Sequence, residues 1–302
     1  MPHLALVFAA SVWGSAPAAI KFVLVAIPLF DAVAFRFLLA TAALWLAALI
    51  AGRLSRVRTV GWRPFLAGMV DPGVIAVLVY HGVQMTTAIH TSVIFALMPI
   101  VSTVFGRAIL KEAISVPVVI GAAVAIAGIA VLVSSKTATG EPTLAGDLII
   151  VGCVFIVCAA QLVLRKVARD HGEPIVATAS MMSGATATAF IAWLVFADDY
   201  SLAWAATAST DVWIVFVYAA LVISAGCFFL YNYALHHLPV GRASLYGVLE
   251  GPSGVVIAWL LLGEVATLSE SIGIGLAIAG VALPSLIALA WAARVDARAA
   301  RP

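Results

Sequence analysis

Ten separate stretches of the chain are apolar enough and long enough to cross the roughly 30 Å hydrocarbon core of a bilayer as helices. They run over residues 3–26, 29–50, 65–85, 90–109, 114–134, 147–166, 175–196, 211–235, 241–262 and 270–292. A helix satisfies every backbone N–H and C=O within its own segment, so a lipid solvent leaves little choice of secondary structure. Composition points the same way. Of 302 residues, 64% are hydrophobic and 10% charged, where a soluble domain carries about 25% charged residues. A soluble fold of this size has no interior large enough to hide so much apolar surface. The first run has no basic segment before it and is followed at once by the second, so it reads as a membrane helix rather than a cleaved leader.

Most linkers are short, which makes successive helices antiparallel neighbours; the longest breaks are 51–64, 134–146 and 197–210. Lysine and arginine set the orientation. With the N-terminus in the cytoplasm, that side holds Arg53, Arg56, Arg58, Arg63, Arg107, Lys111, Arg165, Lys166, Arg169, Arg242, Arg294, Arg298 and Arg301, while the outer side holds Lys136 alone. Both termini are therefore predicted in the cytoplasm. The outer loop after the seventh run carries Asp198, Asp199 and Asp211 and no basic residue.

The chain also repeats itself. PIVSTVFGRAILKEAISVPVVIGAAVAIAG (99–128) returns as PSGVVIAWLLLGEVATLSESIGIGLAIAG (252–280), and Glu112, Gly121 and Gly128 keep the mutual spacing of Glu264, Gly273 and Gly280. Five spans is an odd number, so a second copy sits upside down relative to the first. The predicted fold is all-α integral membrane, ten transmembrane helices in two inverted five-helix repeats, 1–140 and 141–302. Inverted repeats are characteristic of secondary transporters, where one bundle rocks against another around a central site.

In lipid, a polar side chain faces the bundle interior, pairs, or reaches back to the surface. Glu250 lies about nine residues into the ninth run, near the midplane. Tyr246, Glu250 and Ser253 fall at i, i+4 and i+7, on one face. That face reads as a partner for a substrate amine or as a proton carrier; the plain alternative is a structural carboxyl bonded to a neighbouring helix. Tyr80, His81 and Gln84 are candidates in the third run. In the repeat alignment His81 falls opposite Asn232, which suggests a shared cavity lining or, more simply, interhelical hydrogen bonds. Trp13, Phe95, Met98, Gln161 and Trp259 are candidates for an amphipathic pocket wall, against the common role of such aromatics at lipid and interface. Pro17, Pro99 and Pro252 are predicted helix kinks, and Gly251 and Gly254 beside Pro252 would help free backbone carbonyls there.

Lys21, Asp31 and Arg36 lie toward the outer ends of the first two runs and read as snorkelling side chains or a small ion-pair cluster at the outer mouth. Asp71, before Pro72-Gly73, reads as the cap of a broken helix or as facing an inner vestibule. Gly121, Gly128, Gly273 and Gly280 form small-residue stripes that let helices approach closely, hence scaffold. Glu112 and Glu264 read as capping or gating-loop residues.

Several classes are excluded. There is no GxxxxGK[ST] for an ATP motor, no HExxH or His/Cys cluster for a metal, and no nucleophile elbow at Gly14-Ser15 or Gly140-Glu141. Cys153, Cys158 and Cys227 lie inside apolar runs and read as small hydrophobes. The basic residues mark membrane edges and form no nucleic-acid patch. No metal, cofactor or nucleic-acid partner is expected.

Three motifs carry a resemblance: WGSAPAAIK (13–21), FRFLLA (35–40) and LYNYALHHLPVGRASLYGVLEGPSGVVIAWLLLGE (230–264). Together they resemble the drug/metabolite transporter superfamily in its EamA-type, ten-helix branch, over essentially the whole chain. The family places Glu directly before Pro in its last-half motif; here Gly251 intervenes between Glu250 and Pro252. Tyr80-His81 and the aromatic-rich interior look most like amino-acid exporters of the YddG type. The resemblance implies a secondary transporter of the cell (inner) membrane that exports small amphipathic metabolites, above all amino acids including aromatic ones, with protons as a candidate coupling ion. Alternatives are nucleotide sugars, phosphorylated sugars or cationic drugs as substrate, an integral-membrane enzyme, and a passive channel.

Overall fold

Each apolar run is helical over most of its described residues. The computed structural model describes residues 1–110, 116–135, 142–169, 173–238 and 244–299, and among these there is no β-strand. Seven helices are long and apolar enough to cross a membrane: α1 (Pro2–Val23), α2 (Leu29–Ile50), α3 (Arg63–Met85), α4 (Ala88–Phe105), α5 (Val116–Ser134), α7 (Pro174–Phe196) and α8 (Thr210–Leu235). Three more have shorter apolar stretches. These are α6 (Leu144–Arg169, apolar over Leu144–Ala160), α9 (Tyr246–Leu262) and α10 (Leu268–Ala299, apolar over Leu268–Pro284). Short helical turns at Leu54–Arg56, Val57–Val60 and Trp204–Thr207 occupy two of the breaks. The Lys111-Glu112 turn, Lys136, Arg242 and Arg301 lie outside the described residues.

The long helices are broken, and the prolines act differently from simple kinks. Pro17, Pro99 and Pro252 each stand in the first turn of a fresh helical segment, Ala16–Val23, Met98–Leu110 and Glu250–Leu262. A proline there loses no hydrogen bond, because the first N–H groups of a helix have no internal partner. The wide turns are elsewhere. In α3, π-helical backbone runs over Met69–Val74, with Asp71 outside helical geometry (φ −125°, ψ 108°); the ring of Pro72 disfavours the helical region for the residue before it. In α8 a second π-helical stretch runs over Ala219–Gly226.

Helix contacts recur at a displacement of five in helix order. The α3–α6 contact is matched by α1–α8, α4–α6 by α1–α9, and α3–α7 by α2–α8. The remaining large interfaces, α5–α10, α2–α7 and α4–α9, each join a helix to the one five places on. At α5–α10 the four repeat glycines meet reciprocally: a Cβ on Gly121 would strike the Gly280 carbonyl, and one on Gly128 the Gly273 carbonyl. At α2–α7, Thr41 bonds Thr186 at 2.8 Å and Trp45 Nε1 donates to Ser183 at 2.9 Å. The outward surfaces of α5 and α10, such as Val119, Ile126 and Ile272, are exposed and apolar, as a lipid-facing surface requires. Cys153, Cys158 and Cys227 are buried, and none is joined to another in a disulfide.

Candidate binding cavity

A cavity of about 280 Å³ runs from the middle of the bundle to the ends of α3, α7 and α8 that carry Pro64, Ala177 and His236. Helical period places its walls. In α8, Phe228, Tyr231, Asn232 and Leu235 fall at i, i+3, i+4 and i+7 and all line it. In α3 the same spacing brings Pro72, Ile75, Ala76, Val79 and Tyr80 to the lining. The α1 wall is Trp13, whose ring meets Phe228 edge-on at 5.2 Å and Tyr231 at 5.3 Å between centroids.

Three charged side chains face this largely apolar space. Arg36, buried in α2, donates from Nε to Ser224 Oγ at 2.8 Å and from Nη1 to Tyr80 Oη at 3.1 Å. Its acceptor Ser224 sits in the wide turn of α8. Asp71 projects from the wide turn of α3 and Glu250 from the first turn of its α9 segment; both line the cavity. Neither carboxylate has a hydrogen-bond or ion-pair partner among the described residues.

Of the residues singled out in the sequence, Trp13, Tyr80, Phe95, Met98, Asn232 and Glu250 line the cavity, as does Pro17. Asn232 also donates to Thr178 Oγ1 at 2.9 Å. Tyr246 and Pro99 line a small side pocket of about 40 Å³ that shares Trp13, Tyr231 and Glu250 with the main cavity. The Tyr246 hydroxyl lies 2.6 Å from His3 Nδ1. Ser253 turns away: its hydroxyl donates to the Leu249 carbonyl at 2.7 Å and packs on Gly14. His81 and Gln84 are exposed. They are three residues apart on the face of α3 that also holds exposed Val74, so the register that turns Tyr80 inward turns them outward. The pairing of His81 with Asn232 as a shared lining is thereby corrected. Trp259 is likewise exposed, and Gln161 lies outside the residues whose side chains are described.

The expected outer cluster of Lys21, Asp31 and Arg36 does not form. Arg36 is in the cavity. Asp31 accepts from the indoles of Trp193 and Trp204, each at 3.2 Å. Lys21 joins a different assembly, which fills the bundle at the end opposite the cavity's open side. Its ammonium donates to the Thr86 carbonyl at 2.8 Å and to Glu264 at 3.2 Å. Glu264 also accepts the Ala88 and Ile89 N–H groups at 3.0 Å, capping α4. His90, fully buried, has Nδ1 3.1 Å from Asp147 and Nε2 3.5 Å from Glu270. Asp147 also accepts from the Thr86 hydroxyl. Glu270 completes a capping box with Thr267 at the start of α10.

The geometry joins one closed end to one solvent-facing apolar cavity, and sequence comparison supplies the family. The model of the EamA-like transporter family matches residues 1–134 and 144–286. The chain belongs to the EamA-like transporter family. This is a family of membrane transporters of small metabolites. No curated protein matches the chain. Among solved structures, a chain titled only "Crystal structure of protein" superposes with a TM-score of 0.70 at 19% identity, covering 96% of this chain and 98% of that one. The likeness is one of fold.

In this EamA-like chain the residues missed by sequence reasoning were Arg36 as a cavity group and Phe228 and Tyr231 as walls. The second pair had a legible signal, since both share a helical face with Asn232. The polar seal makes its own prediction. Glu264→Ala strands an ammonium and two amide N–H groups, and should cost about 2–4 kcal/mol, read as a lowered unfolding temperature in detergent. Pairing it with Lys21→Met, which removes the stranded ammonium, should recover part of that loss.

Proposed function

We propose that this EamA-like protein is a secondary transporter of the cell (inner) membrane that exports small amphipathic metabolites, in particular amino acids including aromatic ones, by alternating access. The observation that carries the substrate class is the cavity itself. An aromatic wall of Trp13, Phe228 and Tyr231 stands beside Glu250, with the Arg36 guanidinium facing the same space. Such a site offers a carboxylate to an ammonium, a guanidinium to a carboxylate, and aromatic surface to a side chain. At about 280 Å³ the cavity lies at the small end of ligand pockets, which suits single amino acids. Phosphate-bearing substrates call for several cations, and the cavity offers Arg36 already bonded twice.

The proposed architecture is ten spans in two inverted halves, 1–140 and 141–302, with both termini cytoplasmic. It is supported by the five-place recurrence of contacts, the reciprocal glycine pairs and the paired π-helical turns of α3 and α8. In that orientation the cavity opens to the cytoplasm and the Lys21–Glu264–His90 assembly closes the outer face. Tyr80, Phe95, Met98 and Asn232 are proposed substrate contacts with Trp13 and Glu250, and Gln161 stays in the set on its sequence argument.

Efflux of labelled phenylalanine from proteoliposomes tests this reading. Saturable flux competed by unlabelled aromatic amino acids is the expected result. Absence of saturable flux with every amino acid tried would overturn it, and flux linear in concentration would indicate a channel.

A further inference from the structure

We propose that the side pocket of about 40 Å³ is a subsite for a small apolar substituent on the substrate nitrogen, so that the site accepts N-alkylated amino acids as well as their primary-amine parents. The inference rests on the amino-acid reading above and names a further substrate class for the same site.

The pocket lies where α1, α4 and α9 meet. Along α1, Leu6, Ala9, Ala10 and Trp13 recur at i, i+3, i+4 and i+7, and all four line it. Ala9 and Ala10 are buried, and two methyls on this face leave a hollow that longer side chains would fill. Helix α9 contributes Gly247, from the tight helical turn at its start. A Cβ placed on Gly247 would stand 3.7 Å from the Pro99 ring and 3.8 Å from Glu250 Oε1. Both are ordinary van der Waals distances. No close backbone approach demands glycine here; its effect is to leave room.

Glu250 stands on the boundary of that room. Trp13, Met98, Tyr231 and Glu250 line both the side pocket and the main cavity, whereas Arg36 lines the main cavity and not the pocket. A zwitterion with its carboxylate on Arg36 and its ammonium on Glu250 therefore has its nitrogen as the atom nearest the pocket. The closeness of Oε1 to the Gly247 position puts one carboxylate oxygen on the pocket side. An N-alkyl ammonium keeps its positive charge and two N–H groups. It can bond the carboxylate while its substituent enters the pocket. Met98, unbranched and adaptable, is the boundary side chain best able to move aside.

The lining selects what that substituent is. The Tyr246 hydroxyl lies 2.6 Å from His3 Nδ1, and Ser102 Oγ donates to Cys158 Sγ at 3.3 Å. Both hydroxyls are thus engaged outside the pocket, while Leu6, the two alanines and Pro99 supply hydrocarbon. Such walls favour an alkyl group over a second polar one, which would lose its hydration without a partner. Size sets the limit. One water-sized group needs about 10–15 Å³, so the pocket holds about three of them. A methyl or ethyl group fits and a benzyl group does not.

Proteoliposomes would be loaded with labelled phenylalanine together with unlabelled phenylalanine or its N-methyl, N-ethyl or N-benzyl derivative, and the concentration that halves labelled efflux measured for each. The N-methyl and N-ethyl compounds should match unlabelled phenylalanine or improve on it, by about fourfold per buried methylene. The N-benzyl compound should need about tenfold more. Gly247→Ala puts a methyl into the pocket. Whatever its rate with phenylalanine, it should raise the ratio of the N-ethyl value to the phenylalanine value about tenfold. Wild-type protein that rejects the N-methyl and N-ethyl compounds tenfold or more would overturn the inference and leave the transport reading standing. Equal inhibition by all three derivatives would place the substituent in the main cavity and overturn it too. So would an unchanged ratio in Gly247→Ala. Absence of saturable phenylalanine flux would remove the transport reading and this inference with it. Should Gly247→Ala fail to assemble, the size limit in the wild type decides alone.

Discussion

Glu250→Gln is expected to lower saturable amino-acid efflux about tenfold to a hundredfold, with an unfolding temperature that is unchanged or higher. The two halves of that expectation have one cause. Glu250 faces the cavity without a partner among the described residues, so the fold gains nothing from its charge there and bears part of the cost of removing it from water. An amide of the same shape relieves that cost. The substrate ammonium, however, loses a charge-assisted hydrogen bond, worth about 1.5–3 kcal/mol, and each 1.4 kcal/mol is about tenfold in binding. Flux assays and thermal unfolding on the same preparation separate the outcomes. A variant that unfolds several degrees earlier yet transports normally would make Glu250 a structural residue.

The second large effect belongs to the scaffold. Gly68→Ala should abolish folding or lower the unfolding temperature sharply, as should Gly184→Ala. The added methyl on Gly68 would strike the Met181 carbonyl, and that on Gly184 the Phe65 carbonyl. Helices α3 and α7 touch there backbone to backbone, with no flexible side chain to move aside. Overpacking a tight core costs about 1–3 kcal/mol and more where backbone must shift, and two backbones in contact are the harder case. Gly275→Ala is the control. Nothing lies within 4 Å of the position a Cβ would take, so this change in α10 should leave the unfolding temperature in place or raise it.

The apolar runs were legible because hydrocarbon thickness sets their length, and the α5–α10 glycines were legible because close approach needs small residues at regular spacing. Inward and outward faces were harder. In a soluble helix, polar residues mark the outside; in α3 the exposed face is as apolar as the rest, with Val74 exposed and Tyr80 buried, so polarity at His81 and Gln84 pointed the wrong way. Arg36 misled for a related reason. Counted along the chain it is near the outer end of α2, yet Ser224 and Tyr80 hold it inside the bundle, and neither is near it in sequence. The closed end was the least legible part. His90, Asp147, Glu264 and Glu270 come from four separate regions, and only their assembly around Lys21 and Thr86 gives them a joint role.

That closed end has a consequence for the ancestry of such a chain. Its basic members, Lys21 and His90, both lie before residue 140, and its acids, Asp147, Glu264 and Glu270, all lie after it. In the repeat alignment Glu112 answers Glu264, while Val118 answers Glu270. Under the proposed inverted pairing, two copies of residues 1–140 would present Lys21 and His90 once at this face and would lack the Glu270 carboxylate beside His90. The proposed halves have thus diverged: this face needs residues that one of them alone carries.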